Sequence, residues 1–378
     1  MDASRLDALL DRLTEWRIPG NDCIIIKDGK TVYRHISGFA EIETGRRMRG
    51  DETYNMWSTS KPVTAAAVLT LLERGDILLT DPVSEYLPEY SDVKLLIKTD
   101  SGKELVTPKT KINIRHLLSM SAGFSYNMEL DSIKRVREET GGRCPTREIV
   151  RAMAESPLEF EPGEHWLYSI CHDILGGLVE AVTGERYSDY VRKTIFEPLG
   201  MNDSTFALPE QRLIDRMARQ YSYSYDRGCA VPTDNSVSHR LGSEYESGGA
   251  GLVSTVDDYA KFAYMLANGG TGMNGERILS PRTVELMRTN AMSEQQMRDV
   301  NWPQLAGYGY GLGVRTMVSP SRGGSIGPVG EFGWAGAAGT WTMIDPDSHL
   351  AVFYAEHLLE SQEEYITPRL RNVIYASL

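Results

Sequence analysis

Apolar residues near the N-terminus recur every three to four positions. The repeat consists of Leu6, Leu9, Leu10, Leu13 and Trp16. This spacing places the apolar side chains on one face of a helix, so an amphipathic helix is predicted here. β-rich runs at 23–26 and 31–33 follow it and flank Asp28-Gly29, a pair typical of hairpin turns. The chain is therefore expected to open with a helix and a β-hairpin.

The C-terminal part of the chain is also β-rich. Runs 340–344 and 350–354 flank Asp345-Pro346-Asp347, which predicts a second hairpin. Residues 363–378 then carry the pattern of a closing helix. Strands are thus expected at both ends of the chain.

Helical patterns dominate the middle of the chain, at 58–74, 173–183 and 256–268. The segment 220–248 is rich in Tyr, Ser and Gly and predicts a long surface loop. β-rich ends around a helical middle indicate the α+β class, with an antiparallel sheet flanked by helices and an inserted all-helical domain. We predict a sheet domain from residues 1–60 and 245–378, and a mainly helical domain from 61–244.

Composition narrows the function. The 378 residues are 41% hydrophobic and 24% charged, as in globular proteins. A formal net charge of −12 without a basic tract argues against nucleic-acid or membrane partners. No apolar run is long enough to span a membrane, and no leader pattern precedes the first helix. The four cysteines and seven histidines lack metal-ligand spacing. We expect a cytoplasmic protein with free thiols and neither a metal nor another cofactor.

Ser58-Thr59-Ser60-Lys61 carries the first candidate chemistry. Proline is tolerated in the first turn of a helix, so Pro62 places Ser58 at or beside the N-cap, with Lys61 one turn on. The helix dipole favours an alkoxide at Ser58, and the Lys61 amine can accept or relay its proton. The alternative interpretation of these residues is structural: Ser58 caps the helix and Lys61 is an ordinary surface lysine. A second S-x-x-K at 91–94 opens no long helix.

Two further segments carry candidate site residues. Tyr168 precedes a helix; tyrosine is a poor base at neutral pH, and an adjacent lysine ammonium favours its ionised form. Gly330 to Gly339 is glycine-rich, which lets the backbone approach a ligand closely. A strand edge of this kind can supply an oxyanion-hole N–H. Each segment also has a structural alternative: Tyr168 packs at the helix start, and residues 330–339 form a glycine-rich turn between strands.

Gly323 to Gly327 fits G-x-S-x-G, which makes Ser325 a second candidate nucleophile. That motif requires a strand before the serine and a helix after it. The flanking residues predict a loop before it and a strand-like run after Pro328. Asp345 and His349 follow in the order of a catalytic triad, but both lie in a predicted hairpin turn. Ser325 is therefore the weaker candidate.

Six segments in one order resemble the serine β-lactamase superfamily, which includes class C β-lactamases, D-alanyl-D-alanine carboxypeptidases and family VIII carboxylesterases. They are residues 54–64, 114–123, 162–168, 195–201, 248–255 and 334–336. The resemblance spans nearly the whole chain. It implies the β-lactamase/transpeptidase-like fold, in which the site lies in a cleft between a sheet domain and an all-helical domain.

The resemblance also implies roles for individual residues. Ser58 is then the acylated nucleophile, Lys61 its proton partner and Tyr168 the base for acylation and deacylation. The backbone N–H groups of Ser58 and Ala337 form the oxyanion hole. Trp334-Ala335-Gly336 stands where other members have Lys-Thr-Gly.

Two positions depart from the β-lactamase pattern. Trp334 replaces a lysine that attracts substrate carboxylates, and losing one charge-assisted contact costs roughly 1.5–3 kcal/mol. Trp-x-Gly is similar to the family VIII esterase pattern. Ile170 replaces an asparagine that contacts amide substrates and the lysine, a loss for which His172 or Asp173 could compensate. The expected substrate contacts are Trp334, Ala335, Gly336, Ile170 and His172.

These residues together predict a serine hydrolase that cleaves short-chain carboxylic esters through an acyl-enzyme, with a small-molecule ester as its partner. A β-lactamase or a D-alanyl or D-amino peptidase of the same fold is the nearest alternative. Acyl transfer to a small alcohol or amine stays open, as does a penicillin-binding-like protein that is acylated without turnover.

Overall fold

A computed structural model describes residues 3–100, 102–233 and 240–378. The strands are β1 Gly20–Lys27, β2 Lys30–Glu41, β3 Arg46–Arg47, β4 Thr53–Asn55, β5 Leu95–Thr99, β6 Gly102–Val106, β7 Tyr221–Ser224, β8 Cys229–Pro232, β9 Val253–Thr255, β10 Tyr308–Tyr310, β11 Arg315–Met317, β12 Phe332–Gly333, β13 Trp341–Asp345, β14 Leu350–Glu356 and β15 Leu358–Leu359. The helices are α1 Ser4–Trp16, α2 Ser60–Arg74, α3 Ile114–Leu118, α4 Asp131–Glu139, α5 Thr146–Met153, α6 Cys171–Thr183, α7 Tyr187–Val191, α8 Glu197–Leu199, α9 Gln211–Ile214, α10 Val256–Ala267, α11 Pro281–Arg288, α12 Glu294–Asp299, α13 Pro320–Gly323 and α14 Glu363–Ser377.

Strands from both ends of the chain form one eight-stranded sheet, in the order β10-β11-β12-β13-β14-β1-β2-β3. Both predicted hairpins are confirmed, since β1 pairs antiparallel with β2 and β13 with β14. Asp28 and Gly29, with φ of 51° and 73°, make the first turn, as the Asp-Gly pair predicts. Antiparallel pairing of β1 with β14 then joins the two ends of the chain.

The central strand β1 is buried on both faces, because helices cover the sheet from both sides. Cys23 and Ile25 pack in the cluster that contains the leucines of α1 and the apolar face of α14. Ile24 and Ile26 belong to the other cluster, with residues of α2 and α10. The α+β class, with an antiparallel sheet flanked by helices, is confirmed.

The prediction of a loop over 220–248 is wrong in its first part. Residues Tyr221–Ser224 and Cys229–Pro232 form the antiparallel hairpin β7–β8. β7 also pairs in parallel with β15 near the C-terminus, so a distant partner stabilises strands that local composition does not predict. Residues 234–239 of this segment lie outside the described ranges.

The helix α2 is buried over most of its length. All its residues from Ser60 to Leu71 are buried, and it packs against α6. It ends at Gly75, whose φ of 75° makes the left-handed cap that glycine favours. The division of the chain into a sheet domain (1–60 and 245–378) and a mainly helical domain (61–244) stays a prediction. Within the described ranges, no helix is both long and apolar enough to cross a membrane.

Candidate active site

Ser58 lies in the 3₁₀ turn Trp57–Thr59, directly before α2. Thr59 is the N-cap residue, so Ser58 is beside the cap, as Pro62 predicts. Trp57 has a φ of 49°, a left-handed conformation that costs roughly 1–2 kcal/mol in a residue other than glycine. Side-chain hydrogen bonds brace this strained turn; one is that of Thr59 Oγ1 to the Met56 carbonyl at 2.6 Å.

Lys61 and Tyr168 both reach the Ser58 hydroxyl. Lys61 Nζ lies 3.1 Å from Ser58 Oγ, and Tyr168 Oη lies 2.7 Å from the same oxygen. Lys61 is fully buried, and its ammonium lies 4.6 Å from the centre of the Tyr168 ring. The structure therefore brings the three predicted catalytic side chains together. A proton can pass directly between the serine and tyrosine oxygens at this distance.

The Lys61 ammonium has a second partner that the sequence analysis missed. It donates to the Gly249 carbonyl at 2.7 Å. The lysine is thus held although Ile170 occupies the position of the expected asparagine. The glycine pair in segment 248–255, which carries part of the resemblance, was the available signal. Spacing alone does not connect that segment to Lys61.

Aromatic rings surround Tyr168. Tyr126 and Trp334 stack on it at centroid distances of 5.7 Å and 5.6 Å. Trp302 contacts it edge-on at 5.2 Å. Trp334 Nε1 also donates to Tyr168 Oη at 3.4 Å. The sequence predicts an apolar face from Trp334, and in the structure its indole N–H is also a hydrogen-bond donor to Tyr168. No motif marks Tyr126 or Trp302.

The glycine-rich segment lies directly against the turn that contains Ser58. A Cβ on Gly336 would lie 2.3 Å from the Met56 carbonyl oxygen, so only glycine fits there. Thr340 Oγ1 donates to the same carbonyl at 2.9 Å and lies 2.9 Å from Thr59 Oγ1. These contacts join the segment that contains Ala337 to the turn that contains Ser58.

Two cavities meet at Ser58, Tyr168 and Ala337. The smaller, of about 190 Å³, is further lined by Trp302, Leu305, Arg315, Trp334, Ala335, Gly336 and Glu363. The larger, of about 330 Å³, is further lined by Trp57, Tyr126, Met128, Asp173, Ser247 and Ala250. The Ser58 hydroxyl thus lies where two cavities with mainly apolar walls meet.

The start of α6 places Ile170, His172 and Asp173 differently. Ile170 is fully buried in the hydrophobic core and lines neither cavity. His172 is fully buried beside Gly313, and burial together with the Lys61 charge holds its pKa well below the usual value. Its ring is therefore neutral. Asp173 lines the larger cavity.

Ser325 lies outside this arrangement. It follows the short helix α13, and its Oγ donates to the Asn372 side chain at 3.1 Å. Asp345 accepts hydrogen bonds from main-chain N–H groups of its own turn. The strand–serine–helix geometry that G-x-S-x-G requires is not formed at Ser325.

All four cysteines are free. No cluster of metal-ligating side chains is found in the part of the chain that the structure describes.

Comparison with known proteins agrees with this fold. Esterase EstB of Burkholderia gladioli is 30% identical over 99% of this chain and 95% of its own length. The structure of EstCE1, a hydrolase with promiscuous acyltransferase activity, has a TM-score of 0.82 at 25% identity and covers 99% of this chain and 98% of its own. Simvastatin synthase LovD from Aspergillus terreus has a TM-score of 0.84 at 24% identity, covering 100% and 98%, and shows the fold alone. A family model described as Beta-lactamase matches residues 6–374. The chain therefore belongs to the β-lactamase family.

Proposed function

We propose that this protein is a serine hydrolase of the family VIII type that cleaves short-chain carboxylic esters through an acyl-enzyme. One observation carries the proposal: Ser58 Oγ has both Lys61 Nζ and Tyr168 Oη within hydrogen-bond distance, at the junction of two mainly apolar cavities. An activated hydroxyl between two such cavities suits a small ester whose acyl and alcohol parts extend in opposite directions. The 30% identity to esterase EstB over nearly the whole chain supports it.

The proposed reaction uses these contacts in turn. Ser58 Oγ attacks the ester carbonyl while its proton passes to Tyr168 acting as a phenolate, whose negative charge the Lys61 ammonium stabilises. The N–H groups of Ser58 and Ala337 hold the oxyanion. As the C–O bond breaks, the proton goes to the leaving alkoxide. Water, deprotonated by Tyr168, then releases the acid and regenerates Ser58. No metal or organic cofactor enters these steps.

The Trp334 side of the site distinguishes esters from β-lactams and terminal D-amino acids. A substrate carboxylate needs a cation there, and Trp334 offers an indole. Arg315 also lines this cavity, but its charge is paired with the buried Glu331, to which its Nη2 donates at 3.1 Å, and Glu363 lines the same cavity. The site thus favours uncharged esters over the β-lactamase and D-amino peptidase alternatives.

Acyl transfer is a second candidate. Two cavities at one serine allow an alcohol to occupy one space while the acyl group remains in the other, so the alcohol can replace water as the attacking group. EstCE1, with its promiscuous acyltransferase activity, has the same fold. We further propose a cytoplasmic location, since Cys23, Cys144 and Cys171 are buried as free thiols.

The test compares initial rates on p-nitrophenyl acetate, butyrate, octanoate and nitrocefin. Ser58→Ala is the test variant, and Ser325→Ala and Ser91→Ala are matched controls at the other two candidate serines. We expect fast ester turnover, fastest on the short chains, that only Ser58→Ala abolishes, with little nitrocefin cleavage. Ester turnover retained in Ser58→Ala refutes the mechanism. Fast nitrocefin turnover supports the β-lactamase alternative, and a stoichiometric burst without steady state supports the non-turnover alternative.

A further inference from the structure

The Gly249 carbonyl that binds Lys61 belongs to a turn over residues 247–251. The Gly251 N–H donates to the Ser247 carbonyl at 2.8 Å and closes this turn. Ser247 Oγ accepts from the Ala250 N–H at 3.0 Å. The same hydroxyl donates its proton to Asp173 Oδ1 at 2.5 Å. Through these two hydrogen bonds, the Ser247 hydroxyl connects the turn to the side chain of Asp173.

Asp173 is suited to anchor this turn. It is 1% exposed and lies in the first turn of α6. Its Oδ1 also accepts from Tyr245 Oη at 2.6 Å, so hydroxyl groups on both sides of Glu246 bond to the same oxygen. The carboxylate therefore holds the chain on both sides of this position.

The turn packs closely against α6. A Cβ on Gly248 would lie 2.3 Å from the His172 carbonyl oxygen, and one on Gly249 would lie 2.5 Å from Asp173 Oδ2. On its other side the turn faces α2, where Thr64 Oγ1 donates to the Gly248 carbonyl at 2.6 Å. The next carbonyl, that of Gly249, takes the Lys61 ammonium. The turn thus transmits the position of α6 to the lysine on α2.

We propose that Asp173 is a positioning residue for Lys61, acting through Ser247 and the Gly249 carbonyl. In the family pattern, an asparagine at the position of Ile170 contacts the lysine through its side-chain amide. Here the Gly249 carbonyl orients Lys61 instead, and Asp173 holds that carbonyl in place. This inference rests on the proposed function, since a correctly placed Lys61 matters for the attack by Ser58. Asp173 acts on the proton relay without touching the reacting atoms.

The test uses Asp173→Ala, Asp173→Asn and Ser247→Ala in the full chain. Asparagine keeps an oxygen that accepts from both hydroxyl groups. The matched control is Ser204→Ala, which removes a Ser204–Asp258 hydrogen bond of 3.1 Å at the start of α10. Three quantities are measured: kcat and KM on p-nitrophenyl butyrate, the rate at which a fluorophosphonate labels Ser58, and the unfolding temperature.

We expect Asp173→Ala and Ser247→Ala to lower both kcat and the labelling rate by roughly 10–100-fold, with KM within about twofold of wild type. Asp173→Asn should recover most of this loss, and Ser204→Ala should lose little. Ser247→Ala, the smaller change, keeps the test valid where Asp173→Ala does not fold.

Different outcomes separate the two proposals. Wild type that is labelled at Ser58 but does not hydrolyse esters contradicts the proposed function, while the labelling rates still test Asp173. Active wild type with Asp173→Ala labelled at the wild-type rate overturns the positioning role alone. So does a loss confined to KM, which indicates direct substrate contact, or an equal loss in Asp173→Asn and Asp173→Ala.

Discussion

Gly336 is the position where one added methyl group is expected to damage the site most directly. A Cβ there would lie 2.3 Å from the Met56 carbonyl oxygen and 2.4 Å from Thr340 Oγ1. The Met56 carbonyl cannot move easily, because it accepts hydrogen bonds from both Thr59 and Thr340. Ordinary van der Waals contact begins at 3.4 Å. In Gly336→Ala the glycine-rich segment must therefore move about 1 Å away from the turn that contains Ser58.

That displacement moves Ala337 relative to Ser58, and with it one of the two proposed oxyanion donors. A 1 Å misplacement costs about 10²-fold in rate, and removal of one oxyanion donor costs about 10²–10³-fold. We therefore expect kcat on p-nitrophenyl butyrate to fall by about 10²-fold. Overpacking of this kind also costs about 1–3 kcal/mol in the free energy of unfolding.

The assay pairs steady-state kinetics with urea unfolding. Gly176→Ala is the matched control, because a Cβ on Gly176 would meet its nearest neighbour at 3.6 Å, an ordinary contact, within α6. Alanine favours a helix by about 1 kcal/mol over glycine, so this variant should be at least as stable as wild type and fully active. A Gly336→Ala enzyme with wild-type kcat and stability would refute the argument that Gly336 sets the separation between Ser58 and Ala337.

Three further predictions follow from the same site and its surroundings. Trp334→Phe keeps the aromatic ring but removes the N–H that donates to Tyr168, so kcat should fall by about 2–10-fold, the value of one hydrogen bond; an unchanged kcat contradicts a role for that N–H. Trp334→Lys supplies a cation and should tighten inhibition by a carboxylate-bearing penicillin by about 10–100-fold, measured as Ki against ester hydrolysis, with Trp334→Met as the uncharged control. Burial raises the pKa of Glu356 from 4.5 to about 8, so the native protein keeps a proton that the unfolded chain releases, and the free energy of unfolding should fall as pH rises between those values. Glu356→Gln imitates the protonated form, so its free energy of unfolding, measured by urea titration, should fall less between pH 5 and pH 8. An equal fall in the free energy of unfolding for the two proteins would contradict this prediction.

Local chemistry accounts for the elements that could be predicted. The Asp28-Gly29 and Asp345-Pro346-Asp347 turns lie between β-rich runs, and turn geometry is set by a few adjacent residues. The leucine repeat predicts α1 because helical periodicity is also local. The prediction over 220–248 is wrong in its first part because β7 pairs with β15, where Gln220 bonds the His357 carbonyl 137 residues away. β7 pairs locally with β8, but its other neighbour, β15, lies outside any local sequence window.

The same division applies to the candidate site. Ser58 and Lys61 are three residues apart at a helix start, so their proximity follows from helix geometry and from Pro62. Tyr168 could be named as a candidate from its local sequence, but its place beside Ser58 was implied only by the resemblance, because 110 residues separate the two. The contact of Trp334 with Tyr168 spans 166 residues and that of Lys61 with Gly249 spans 188. These contacts depend on how the glycine-rich segment and the turn at 247–251 pack against the helix start. Such packing is decided by close van der Waals fit and hydrogen bonds between distant segments, which residue spacing does not encode.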